Sequence, residues 1–194
     1  DNFFCLLEDD GDVIVVDPID AERAVEAVEA RSPKRVRVLA THGHPDHVGG
    51  NDAVREATGA TVIGSGHPTP FSFHIDETVV DGDTIALGGT ELTVHHAPGH
   101  TPGHIMVHAA GHLVSGDVIF VGGAGNCRFG GDPGVLYRTF VETLSRFDDA
   151  TRFYPGHDYA AKNAAFALSI EPDNEGAAEL RAISEERTRE RDGL

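Results

Sequence analysis

Within Thr41-His42-Gly43-His44-Pro45-Asp46-His47-Val48-Gly49-Gly50, three histidines and one carboxylate fall in six positions, spaced His-x-His-x-Asp-His. Neutral imidazole and carboxylate are ligands that suit zinc, iron or manganese, and a site built from them needs no thiolate. A lone histidine is ordinarily a paired core or surface residue; four donors at this spacing point to a metal. The apolar run Val36-Arg37-Val38-Leu39-Ala40 leads into the cluster, so a buried strand anchors the backbone on its N-terminal side. Gly49-Gly50 permits a sharp turn before a helix that starts near Asn51.

Three further donors each follow a glycine at the end of an expected strand: His100 in Pro98-Gly99-His100, Asp117 in Ser115-Gly116-Asp117, and His157 in Pro155-Gly156-His157. Each alone reads as a turn residue. Added to the first cluster they offer five imidazoles and two carboxylates. That set can hold two cations sharing one bridging carboxylate, with room for a bridging water.

The elements that must position these donors are legible from pattern. Phe3 to Leu7 and Val13 to Asp17 read as strands joined by a turn at Asp9-Asp10-Gly11-Asp12. Asp20 caps a helix to about Arg31. Val36 to Ala40 is the third strand, a helix covers about Asn51 to Ala57, and Thr61 to Ile63 is a fourth strand. Gly64 to Phe73 has turn chemistry without periodicity. Short strands follow at Glu77–Val80, Thr84–Leu87, Glu91–His96, His104–His108 and His112–Ser115. Helices are expected over Pro133 to Phe147, Tyr159 to Ile170 and Asn174 to Arg191, with a strand at Arg152–Tyr154. Two β-rich blocks flanked by helices predict two sheets face to face with helices outside, within one domain over 1–194 whose last part, 159–194, is helical.

Composition bounds the function. Thirty-two acidic residues against 15 basic ones give a net charge of −17, and only Lys34 and Lys162 are lysines. That field opposes nucleic acid and anionic membrane, and no apolar run reaches a membrane span. Acid-rich, lysine-poor surfaces also suit high-salt cytoplasm, where screening reduces self-repulsion. Cys5 reads as a small core residue; Cys127 lies in a glycine-rich loop, either near the site or as core filler. Two cysteines without a framework fit a reducing, cytoplasmic compartment.

The motifs in order, Thr41–Gly50, Pro98–His104, Ser115–Phe120, Gly122–Gly131, Tyr154–Tyr159 and Phe166–Asn174, resemble the metallo-β-lactamase superfamily, and within it the glyoxalase II-like (hydroxyacylglutathione hydrolase) branch. The resemblance implies an α/β fold, the four-layer αβ/βα sandwich. It implies one metal held by His42, His44 and His100 and a second by Asp46, His47 and His157, with Asp117 bridging. Two divalent ions follow, zinc first, with iron or manganese as alternatives. His104 matches a position that family members do not use as a ligand, and reads either as support for one or as a locally bonded strand residue. His67, His74, His95, His96, His108 and His112 have no motif behind them and read as structural or surface residues.

Two cations lower the pKa of a shared water toward neutrality and polarise a carbonyl. A thiolate, with a parent pKa of about 8.5, leaves without strong general-acid help. Asp46 can also orient the water, and no Gly-x-Ser-x-Gly nucleophile motif occurs. The expected reaction is therefore hydrolysis of a small-molecule thioester of glutathione or a related thiol. The resemblance assigns thiol recognition to Arg128 and Tyr159. The loop tyrosine of glyoxalase II is Gly130 here, and the chain stops before the basic C-terminal tail. One competing reading is a persulfide dioxygenase-like oxidoreductase, with one iron on His42, His100 and Asp117. Another is a metal-binding regulatory module. Lactamase activity ranks lower because His47 is present, and nuclease activity because no basic patch is evident.

Overall fold

The computed structural model describes residues 2–69 and 71–192. Strands β1 (Cys5–Asp9) and β2 (Asp12–Val16) form an antiparallel hairpin. Its two turn residues, Asp10 and Gly11, both take positive φ (44° and 82°), the twist that a two-residue hairpin loop requires. Helix α1 (Ala21–Glu29) starts where the Asp20 side chain accepts the Arg23 N–H, and β3 (Arg35–Leu39) follows. A single turn, α2 (Pro45–Val48), leads to α3 (Asn51–Thr58), β4 (Thr61–Ser65) and β5 (Glu77–Val79). The first sheet has the order β1-β2-β3-β4-β5 and is parallel except for its first pair.

The second half runs β6 (Thr84–Leu87), β7 (Thr90–His96), β8 (Ile105–Ala109), β9 (His112–Gly116) and a small hairpin, β10 (Ile119–Phe120) with β11 (Gly123–Ala124). Then come α4 (Pro133–Glu142), a 3₁₀ turn at Leu144–Arg146, β12 (Arg152–Pro155), α5 (Ala160–Ile170) and α6 (Glu175–Asp192). The second sheet has the order β12-β9-β8-β7-β6, antiparallel except that β12 runs parallel to β9.

Alternation along β2 explains the layers. Ile14 and Val16 join Leu39, Ile63, Ile85, Val94, Ile105 and Val107 in a core between the two sheets. Val13 and Val15 point the other way and meet Ala24 and Val28 of α1 and Val54 of α3. On the outer face of the second sheet Met106 and Leu113 pack with Leu136 of α4. The result is the four-layer αβ/βα sandwich expected from the sequence. Strands buried on both faces read as continuous apolar runs, as Val13–Val16 of β2 do; its first residue, Asp12, is buried with its carboxylate bonded to Arg35 and the Gly88 N–H.

Most boundaries shift by a residue or two, and three of the shifts are the following. The first strand begins at Cys5, because the Phe3 N–H bonds instead to the Gly156 carbonyl at 2.8 Å. The helix expected over Pro133–Phe147 ends at Glu142, where Thr143 caps it, its N–H still bonded to the Thr139 carbonyl, and a 3₁₀ turn at Leu144–Arg146 takes over. Helix α5 starts at Ala160, after Tyr159. Among the described residues no helix is long and apolar enough to cross a membrane.

Candidate metal centre

All seven donors lie at one edge of the sandwich, each just beyond a strand or in the loop between two. His42, His44, Asp46 and His47 follow β3; His100 sits between β7 and β8; Asp117 follows β9 and His157 follows β12. Six of the seven donors are buried: His42, His47 and His100 are at most 2% exposed, His157 and Asp117 at most 5%, and His44 7%. Asp46 is the open member, with a half-exposed carboxylate.

Local sequence explains the convergence. Pro45 occupies the first position of α2 and His44 its cap, so one helical turn carries Asp46 and His47 back past the strand end. Two glycines are required by close approach. Gly116 takes φ 48°, and a Cβ there would press on His104 Cε1 at 2.8 Å. A Cβ on Gly156 would strike the Asp117 carboxylate and come within 2.6 Å of His47 Cε1. The Gly156 N–H donates to the Gly116 carbonyl at 3.0 Å, which joins two donor-bearing loops directly.

Two donor sets result. His42 Nε2 is 3.0 Å from His44 Nδ1, which is 2.9 Å from His100 Nε2. On the other side His47 Nε2 is 3.2 Å from His157 Nε2, and His157 Nε2 is 3.5 Å from Asp46 Oδ2. Asp117 stands between: Oδ1 is 3.4 Å from His47 Nε2, and Oδ2 is 3.3 Å from His157 Nε2 and 3.6 Å from His100 Nε2.

The tautomers test whether cations fit. His100 Nδ1 lies 2.6 Å from the Asn126 carbonyl and His44 Nε2 3.2 Å from the Phe129 carbonyl. Carbonyl oxygens only accept, so those nitrogens carry the protons. The Thr41 hydroxyl donates to Asp17 Oδ2 at 2.6 Å, so its oxygen accepts from His42 Nδ1 at 3.0 Å. Three lone pairs, on His42 Nε2, His44 Nδ1 and His100 Nε2, are thus turned toward one point. Lone pairs cannot bond to one another, and a cation satisfies all three. The residues fit divalent metal ions.

Charge follows the same division. Burial alone would depress the His47 imidazolium, but hydrogen bonds to Asp117 and Asp17 outweigh it and push its pKa up to about 10. Burial would raise the Asp117 carboxyl, yet hydrogen bonds from His157 and His47 hold it far below the usual range. Burial keeps His42 and His104 neutral.

Asp17 is the participant that sequence reading missed. Its oxygens accept from the Thr41 N–H at 2.8 Å, the Thr41 hydroxyl and His47 Nδ1 at 3.0 Å, and its backbone sits at φ 52°. With both oxygens engaged, it orients His47 and Thr41 even though it lies near His42 and His47. The available signal was a lone carboxylate ending the apolar run Val13–Val16 before Pro18. His104, fully buried, accepts the Asp117 N–H on Nε2 at 3.0 Å and so holds the backbone of that donor from behind.

A cavity of about 540 Å³ opens over the donors, with Phe71, Phe120, Phe129 and Tyr159 among its walls. The Tyr159 ring stacks on His157, centroids 4.8 Å apart and 9° between planes. Arg128 does not line this cavity; it lies on an adjoining groove that shares Ala124 and Asn126 with it. The remaining histidines sit apart from the donors. His67 stacks on His96 (3.7 Å), His74 pairs with Asp76, His95 and His108 pack on Phe147, and His112 bonds the Tyr154 hydroxyl.

A family model described as the metallo-beta-lactamase superfamily matches residues 4–157. The hydroxyacylglutathione hydrolase of Anaeromyxobacter dehalogenans is 43% identical over 185 residues, 95% of this chain and 71% of that protein. The protein of the same name from Polaromonas sp. is 40% identical over 183 residues, 92% and 70% respectively. Among solved structures, ETHE1 from Myxococcus xanthus superposes with a TM-score of 0.74 at 30% identity, covering 81% of this chain and 71% of that one. The matched span contains every donor that the fold brings to one edge, and the chain belongs to the metallo-β-lactamase superfamily, in its hydroxyacylglutathione hydrolase-like branch.

Proposed function

We propose that this chain hydrolyses thioesters of glutathione or a related small thiol at a centre of two divalent ions, zinc first, with iron or manganese as alternatives. The observation that carries the reading is the pairing of donor sets across Asp117: His42, His44 and His100 on one side, Asp46, His47 and His157 on the other. Bound there, a pair of cations supplies hydroxide at neutral pH and an electrophile for the carbonyl oxygen. In the reaction a C–O bond forms at the thioester carbonyl, the C–S bond breaks, and carboxylate and thiol leave.

The chain's own residues supply the rest. Asp17 and Thr41 fix the rings of His47 and His42, and the carbonyls of Asn126 and Phe129 fix His100 and His44. The Asp46 carboxylate, steadied by Asn2 Nδ2 at 3.2 Å, faces the cavity and is placed to orient the attacking water. Tyr159 walls the cavity where a thiol would pass. Arg128 pairs with a substrate carboxylate beyond it. A mononuclear iron oxygenase would use only His42, His100 and Asp117; the relatives 43% and 40% identical to this chain carry the name hydroxyacylglutathione hydrolase, which favours hydrolysis.

The test is a thioester panel on metal-analysed protein, with glutathione and γ-glutamylcysteine thioesters side by side. Thiol release with two metals per chain is expected. One iron per chain, with oxygen uptake on a persulfide and no thioester turnover, would refute the proposal.

A further inference from the structure

The groove beside the metal cavity has a chemistry of its own. It spans about 760 Å³ between the 122–131 loop and α4, with Leu136, Phe140 and Cys127 among its walls and Tyr137 and Arg128 exposed along it. Ala124 and Asn126 wall both spaces, so a molecule can run from the metals into the groove across this one loop. The same Asn126 carbonyl holds His100. Tyr137 is 70% exposed, a large aromatic surface left in water along the groove. In a chain of net charge −17, the exposed Arg128 forms no ion pair among the described residues.

We infer that this groove seats the thiol half of the substrate, and that this thiol has an apolar body, aryl or branched alkyl, between its sulfur and a terminal carboxylate. The inference rests on the thioesterase reading and narrows its substrate class. A ring on Tyr137, Phe140 and Leu136 removes apolar surface from water on both partners. A carboxylate at the far end meets the guanidinium of Arg128. A peptide-like carrier such as glutathione lays amides on those same apolar walls, exchanging water for groups that offer few hydrogen bonds.

Acetyl thioesters of glutathione, 4-(mercaptomethyl)benzoate and benzyl mercaptan test this, because all three leave as alkyl thiols of similar reactivity. The carboxybenzyl thioester is expected to have a KM about tenfold below the other two, the scale of one well-placed apolar or ionic contact. Tyr137→Ser should raise that KM severalfold with kcat unmoved and the glutathione thioester unaffected; Arg128→Gln should bring it to the benzyl value. Calorimetric binding of the S-methyl thioether of 4-(mercaptomethyl)benzoate reads the groove without turnover and should weaken in both variants. Equal KM values for the three thioesters, or no effect of Tyr137→Ser on either readout, would overturn the inference. Tyr137-dependent thioether binding with no thioester hydrolysis would uphold the groove and overturn the thioesterase reading instead.

Discussion

Asp17 shows how much of a candidate metal site lies behind its donors. It holds an uncommon left-handed backbone for a residue with a side chain, and its two oxygens fix both Thr41 and the His47 ring. Asp17→Asn keeps the shape but replaces an acceptor with a donor facing His47. Metal affinity should fall about 10–100-fold, the usual effect of losing a ligand's supporting partner. Competition with a chromophoric chelator measures it, and an unchanged affinity would contradict the role. The His47 proton gives a second test. Its pKa of about 10 in the metal-free chain lies above the ordinary 6.5, so its stabilisation is full below pH 6.5 and is lost as pH rises through 10. Between pH 7 and 9 the metal-free protein should therefore lose stability. Over the same range metal affinity should rise, by up to about tenfold per pH unit, because binding displaces that proton. Denaturation midpoints and chelator titrations at pH 7, 8 and 9 check both signs; midpoints rising with pH in the metal-free protein would contradict the assignment.

The strands matter because their ends are the site. Leu39, wholly buried between the sheets, is the last residue of β3, two positions before Thr41. Leu39→Ala should cost about 2–5 kcal/mol, the range for emptying a rigid core position, read from denaturant midpoints. A loss below 1 kcal/mol would mean that the inter-sheet core is not packed as described. At this scale the sequence was readable wherever period and punctuation were strong. The buried runs Val13–Val16 and Val36–Leu39 and the glycines before His100, Asp117 and His157 placed the strands and the donors at their ends. Units too short to show a period escaped, namely α2 and the β10–β11 hairpin, which span four residues and two residues per strand. Asp17 escaped for another reason: its partners, Thr41 and His47, are 24 and 30 positions away, and only the parallel pairing of β2 with β3 brings them together. Arg128 was readable as a charge near the site, but which side of its loop it faces depends on how α4 packs.

At the scale of the molecule, a net charge of −17 is self-repelling unless salt screens it. Unfolding midpoints should rise steadily from low to molar KCl, and a protein equally stable without salt would rule out adaptation to brine. Arg128 on the adjoining groove and Lys162, whose ammonium lies 5.3 Å from the Tyr159 ring centroid, are local exceptions to the acidic field. The central claim is that donors from four separate segments form one two-cation centre, and His157 is the residue whose loss separates two cations from one. Metal content of the purified, metal-reconstituted protein should be two per chain in wild type and one in His157→Ala, with thioester turnover largely lost. One metal per chain in wild type, or full turnover in His157→Ala, would contradict the account.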